Sequence, residues 1–322
     1  MPMKTWGLLA LKIALSGALI WYFIGKSDLG AVMESLRQVD AATVVAVLAM
    51  FLAQIVLVAW RWGALMRLVG VGKGFSFHEI VRTVWSANFF NTTLVSSVGG
   101  DAFRLWTIVR AGNPLGKSVN SIFLDRLTAL MALMILIAIS LPYVMELIAD
   151  EAAFLSYALL IAAFLAGFAA LFHADRLPRQ IQHWRLVRGL ANLAADTRRL
   201  SLHMDNLLPV AALSLLVHIL NIFVVYVLAR GLEIGISFLD CFFLVPPVIL
   251  AMTLPISIAG WGVREGAMIV SLGLIGVSQE SALVLSILFG LGITLAALPG
   301  GVIWLFSRNR TVPAMPDGEV ES

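Results

Sequence analysis

Residues 254–266, LPISIAGWGVREG, set an arginine beside a glutamate among glycines and a proline, with apolar sequence on both sides. Ionisable groups inside a hydrophobic run are costly unless they are paired or line a wet cavity, so the stretch reads as a functional site. An earlier stretch carries the same pattern. Ser97, Val98, Gly99, Gly100 and Arg104 align without a gap on Ser257, Ile258, Ala259, Gly260 and Arg264, each pair separated by 160 positions. Both stretches read as the tips of re-entrant elements that meet around a polar site.

The rest of the composition requires a membrane. The chain has 322 residues, 60% hydrophobic and 13% charged, with a mean hydropathy of +0.95. That leaves too little polar surface to face water on every side. The apolar runs are about twenty residues long, enough for a helix to cross a hydrocarbon core of roughly 30 Å, and they lack the alternation of a barrel. The expected fold is therefore an all-α integral membrane protein. Cys241 is the one cysteine and lies in an apolar run, which excludes an intramolecular disulfide and a cysteine zinc site; it reads as a small packed thiol. The net charge of +3 comes from Lys and Arg in loops, as membrane orientation requires, and implies no nucleic acid.

Taken in order, residues 6–24 form a first span with no cleavage site behind it. Residues 41–60 form a second, closed by Trp60, Arg61 and Trp62, which suit the headgroup zone. Residues 79–117 differ. Two short limbs, 80–95 and 101–111, carry Arg82, Asn88 and Asn91 and meet at Ser96, Ser97, Gly99 and Gly100. They read as a re-entrant hairpin, since bare backbone at the tip must be buried in protein or wet. Two more spans, 118–141 and 153–172, flank Glu146, Asp150 and Glu151, an acidic loop placed outside. Residues 173–206 hold Arg176, Arg179, Arg185, Arg188, Arg198 and Arg199 and are placed in the cytoplasm. That segment reads either as an amphipathic helix on anionic lipid or as a plain connecting helix.

A span at 207–229 contains His218 and Asn221. The second hairpin follows, 238–257 and 262–276, with Pro246, Pro247 and Pro255 expected to break its first limb. The last span, 282–306, ends inside at Arg308 and Arg310, and the tail, 307–322, is expected to be disordered and cytoplasmic. The sum is one domain, 1–306, of six spanning helices plus two re-entrant hairpins. Three spans per half is an odd number, so the half-repeats, about 5–141 and 153–306, are inverted. Secondary transporters share that plan, with the site between the repeats.

At each tip a glycine-rich break precedes a fresh helix, whose first turn offers unpaired N–H groups and partial positive charge. The breaks supply Ser97 and Gly100 on one side and Ser257, Gly260 and Gly262 on the other. With Arg104 and Arg264 they suit a phosphate or carboxylate. Asp101 and Glu265 would balance part of the charge, pairing with the arginines in the empty site or binding a proton, a cation or an aminoacyl ammonium. Arg82 and Asn88 would face the same cavity, Asn91 counts among the binding residues, and Asp125 with Arg126 forms a second polar layer. The structural alternatives stay open: Arg104 bonding carbonyls, Arg264 and Glu265 as a static clip, Asp125 and Arg126 as a buried pair. His218 with Asn221 reads as an interhelical contact. No HExxH, Walker loop, GxSxG elbow or metal-spaced cluster occurs, so neither an enzyme nor a cofactor is expected.

NTTLVSSVGGDAFRLW followed downstream by LPISIAGWGVREG resembles the transmembrane part of the lysylphosphatidylglycerol synthases, a flippase-like family. The resemblance covers about residues 5–308. In the first motif Ser96, Ser97 and Asp101 stand where the family tends to have Pro and Glu. The resemblance implies a bacterial or archaeal inner-membrane protein that moves, or helps move, a phospholipid or related anionic amphiphile between leaflets; the basic loops and the span count put both termini in the cytoplasm. The large aminoacyltransferase domain of the full synthases is not in this sequence, so lipid synthesis is not expected. The alternatives are a proton-coupled transporter of a polyprenyl phosphate or small anion, and a scaffold for lipid-modifying enzymes. A homo-oligomer is compatible with each.

Overall fold

A computed structural model describes residues 39–93, 99–147, 185–202, 204–253, 257 and 260–307, with single positions at 162, 166, 167 and 169; within 185–202 the side chains are described from 193. The first span, the rest of the 153–172 span, the tip at Ser97 and the tail from 308 on lie outside the described residues.

Nine helices are bounded among the described residues: α1 (Ala41–Val69), α2 (Phe77–Thr93), α3 (Gly99–Arg110), α4 (Leu115–Leu147), α5 (Arg185–Leu202), α6 (Met204–Gly231), α7 (Phe238–Thr253), α8 (Val263–Gly273) and α9 (Gln279–Ser307). Four of them, α1, α4, α6 and α9, are long and apolar enough to cross a membrane. The other hydrophobic limbs are short. With 17, 12, 16 and 11 residues, α2, α3, α7 and α8 rise only about 17–25 Å each, less than a hydrocarbon core.

Local chemistry explains the bounds of α1. The Asp40 carboxylate accepts the Thr43 N–H at 2.8 Å, and Gly70, at φ 76°, ends the helix in the left-handed region. The α7 helix runs unbroken through Pro246 and Pro247, contrary to the expected break. A proline removes one donor and crowds one carbonyl, and a helix packed against neighbours absorbs both.

Contacts along the helices give their directions. Thr43 of α1 touches Gly231 of α6, while Arg61 reaches Ser214, so these two helices are antiparallel. On α9, Gly292 sits against Val47 and Phe51 of α1. Antiparallel to α9 runs α2: Arg82 reaches Ser307, and Ser86 donates to the Gly300 carbonyl at 3.0 Å. The backbones meet there because Gly300 has no side chain; a Cβ would lie 2.2 Å from the Trp85 carbonyl. The two short pairs fold back on themselves. Gly100 of α3 lies against Ala87 and Asn91 of α2, and Ser271 of α8 donates to the Leu244 carbonyl of α7 at 2.6 Å.

The core follows the same arrangement. One apolar cluster gathers Phe51, Ile137, Val224, Leu244, Met268 and Phe289, with Cys241 buried in it. A second, around Trp62, Leu65, Ile108 and Leu124, fills the other end. The described part of α5 caps that end: Leu193, Ala194, Thr197 and Leu200 are buried, and Asn120 of α4 donates to Asp196 at 2.7 Å. These four side chains face protein.

Candidate functional site

Two buried charge clusters occupy the interior, one in each half of the bundle. The first is built from α1, α3 and α4. On α3, Asp101, Arg104 and Ile108 share one face, three or four residues apart. Arg104 is 5% exposed. Its Nη2 donates to Asp125 Oδ2 at 2.9 Å, its Nη1 to Asp101 Oδ1 at 3.4 Å, and its guanidinium lies 4.0 Å above the Trp62 ring. Arg61 binds the other Asp125 oxygen through Nε at 2.8 Å and donates to Ser214 Oγ at 3.2 Å. Arg126, 49% exposed at its side chain, donates to Asp101 Oδ2 at 2.9 Å.

These residues form one chain of charges, Arg61–Asp125–Arg104–Asp101–Arg126, with three cations against two anions. The inner end is dry and closed, since Asp125 receives a guanidinium on each oxygen. The outer end, at Arg126, is open to the protein surface. Between them, Arg104 Nε is buried with no partner, and the Asp101 contact on Nη1 is the longest in the chain. A guanidinium with unused donors in a partly dry site donates readily to a phosphate or carboxylate oxygen, because such bonds are charge-assisted.

The second cluster is on α8 and α9. Gly260 and Gly262 have φ of 81° and 86°, a turn that side-chain-bearing residues adopt at a cost. That turn starts α8 and sends Arg264 and Glu265 inward. Arg264 Nη2 and Nε both donate to Glu265 Oε1. Nε also donates to Ser286 Oγ at 3.1 Å, and Ser286 donates to Glu265 Oε1 at 3.2 Å. Trp261 lies 4.5 Å below the guanidinium, much as Trp62 serves Arg104. Gly290 completes the pocket, for a Cβ there would fall 2.1 Å from Arg264 Nη2. This cluster is neutral and closed, the clip given above as the alternative reading. Ser257 Oγ is buried without a partner.

The structure thus joins Arg104, Asp101, Asp125 and Arg126 in one cluster and Arg264 and Glu265 in the other. No hydrogen bond or ion pair among the described residues links the two. Trp62, beside Arg104, is eleven residues from Phe51, whose ring packs 5.5 Å from Phe289 next to Gly290. The levels therefore differ by roughly 16 Å along α1. The arginines do not converge on one pocket as the sequence reading expects.

The helix starts are also less open than expected. The Gly100 N–H is taken by Asn91 Oδ1 at 2.9 Å, and the Gly262 N–H by Glu265 Oε2. Asn91 is thus a cap for α3. Arg82 bonds Ser307 instead of the Arg104 cluster, because Arg82, Trp85, Ser86 and Phe89 share the α2 face toward α9 while Ala87 and Asn91 face α3. His218 Nε2 lies 2.9 Å from the Ala129 carbonyl, the interhelical contact read from the sequence. Arg61 was missed: closing an apolar run between two tryptophans, it looks like a headgroup anchor. A charge count offers the one signal, since Asp125 needs a cation from another helix. Among the described residues no three His, Cys, Asp or Glu side chains are placed to hold a metal.

The family model of the lysylphosphatidylglycerol synthase TM region matches residues 9–300. No curated protein matches the chain.

Proposed function

The chain belongs to the family of the lysylphosphatidylglycerol synthase TM region, and from that premise we propose that this multi-pass membrane protein moves an anionic lipid between leaflets without altering it. One observation carries the reading. A buried chain of charges with one cation in excess, open to the surface at Arg126 and closed at Arg61, is a seat for one negative headgroup. A polar headgroup crossing bare hydrocarbon loses several kcal/mol for each unsatisfied group. Partners inside the protein lower that barrier.

The helix directions support an inverted arrangement. The α2–α3 pair starts near the Arg61 end of α1, where Ile80 packs on Gly63. The α7–α8 pair starts at the other end, where Asp240 of α7 accepts a hydrogen bond from Tyr143, near the finish of α4. Each pair turns back inside the bundle, one from each face. With the two spans expected outside the described residues, this makes six spans and two re-entrant hairpins. The two clusters then lie on either side of the midplane as symmetry counterparts. A lipid phosphate arriving at Arg126 displaces Asp101 from Arg104, the weakest link of the chain, while Asp125 keeps Arg61 and Arg104 in place. Leaving the other way, it opens the Arg264–Glu265 clip. Ion pairs exchange in both steps, and no covalent chemistry is needed.

Vesicles reconstituted with the protein are expected to equilibrate a labelled anionic phospholipid between leaflets faster than empty vesicles. Arg126→Gln should slow this about tenfold, one charge-assisted contact being worth roughly that factor. Its stability should change by no more than about 1 kcal/mol, because the side chain is half exposed. Transfer no faster than in empty vesicles, across anionic and zwitterionic headgroups alike, would overturn the proposal.

A further inference from the structure

On the outer face of α3 lies a feature that headgroup transfer does not use. Phe103, Trp106 and Arg110 recur at i, i+3 and i+7 and form a stripe turned away from Arg104. With Phe90 of α2 and Trp304 of α9 they line a groove of about 540 Å³, inside the roughly 300–1,000 Å³ range of ligand sites. The rings continue one another: Phe90 lies 5.0 Å from Phe103 and 5.3 Å from Trp304, and Phe103 is stacked 6.0 Å from Trp106. At one end the Arg110 guanidinium sits 5.0 Å over Trp106. The lining is otherwise apolar, and Trp106 is 52% exposed, so the groove is open along its side.

We infer that this groove holds one acyl chain of an anionic glycerophospholipid, with the lipid phosphate on Arg110. Charge decides the head end, since among the described residues Arg110 is the one cation of the lining, and it stands at the α3 end of the groove. Shape decides the tail, because an open-sided groove seats one chain and leaves a second in the bilayer. The inference rests on the lipid-transfer reading and deepens it. The α3 helix becomes a partition: a lipid docks on its Trp106 face with the phosphate on Arg110, and in transfer the headgroup passes to the Arg104 face while the chain stays in the groove.

The test measures binding, not transfer. Protein in phosphatidylcholine vesicles is photolabelled with a trace of phosphatidic acid carrying a diazirine on one chain, and labelled peptides are mapped by mass spectrometry. Parallel arms use phosphatidylcholine and a polyprenyl phosphate with the same photoreactive group. Labelling should concentrate on the peptides holding Phe90, Phe103 and Trp304 and favour phosphatidic acid over phosphatidylcholine. Arg110→Gln should cut that preference about tenfold, Arg110→Lys should keep most of it, and Trp106→Ala should reduce labelling at Phe103. Equal labelling by the two glycerophospholipids, spread over all lipid-facing helices, would overturn the inference, and so would stronger labelling by the polyprenyl phosphate. Selective labelling in a protein that transfers no lipid would uphold the groove and reject transfer; transfer with uniform labelling would do the reverse.

Discussion

Replacing Asp125 with asparagine is expected to cost about 3–5 kcal/mol of stability, the range found when one member of a buried ion pair is removed. Asp125 is buried with a guanidinium on each oxygen, at 2.8 and 2.9 Å. The amide keeps the size and loses the charge, so Arg61 and Arg104 are left facing each other in the same dry space. Repulsion between them then adds to their desolvation. The loss should appear as a large fall in the temperature at which the detergent-solubilised protein aggregates. Arg61→Gln together with Asp125→Asn should recover a good part of it, because one of the two uncompensated cations is gone. A single Asp125→Asn variant as stable as the parent would mean that water fills the cluster.

The second large effect concerns a position with no side chain. Gly290→Ala places a Cβ 2.1 Å from Arg264 Nη2 and 2.4 Å from its Cζ, so the guanidinium must leave. Glu265 then stays buried without its cation. Overpacking alone costs about 1–3 kcal/mol, and the broken pair brings the total to the same range as Asp125→Asn. A double-mutant cycle isolates the cause. In an Arg264→Ala background, which already lacks the guanidinium, Gly290→Ala should add little. An equal loss in both backgrounds would place the clash somewhere other than Arg264.

Much of this was legible in the chain itself, for physical reasons that can be named. Glycines at 260 and 262 with a following Arg–Glu pair announced a helix start inside an apolar region, and both take left-handed φ in the structure. Arg104 and Arg264 were visible because charge in a hydrophobic run has few innocent explanations. Depth was not legible. A spacing of 160 residues says that two elements are equivalent, but inverted repeats place equivalent residues together only when they lie on the symmetry axis. In the inverted arrangement proposed above, residues off the axis fall on opposite sides of the midplane, and the roughly 16 Å between the Trp62 and Phe51 levels fits that proposal. Direction was equally hidden: Arg82 shares a hairpin with Arg104, yet helical phase turns it to Ser307. Arg61 escaped notice because α1 continues to Val69, past the twenty apolar residues that suggested its end.

The opposed entry of the two hairpins is tested most directly by sidedness. Gly116, at the start of α4, and Gly273, at the end of α8, are exposed and have no atom within 4 Å of an added Cβ, so each accepts a cysteine without strain. In a Cys241→Ala background, intact cells and inverted membrane vesicles are treated with a membrane-impermeant maleimide. Gly116→Cys should label from one side of the membrane and Gly273→Cys from the other. Labelling of both from the same side would contradict the inverted arrangement, and with it the passage of a headgroup from one charge cluster to its counterpart.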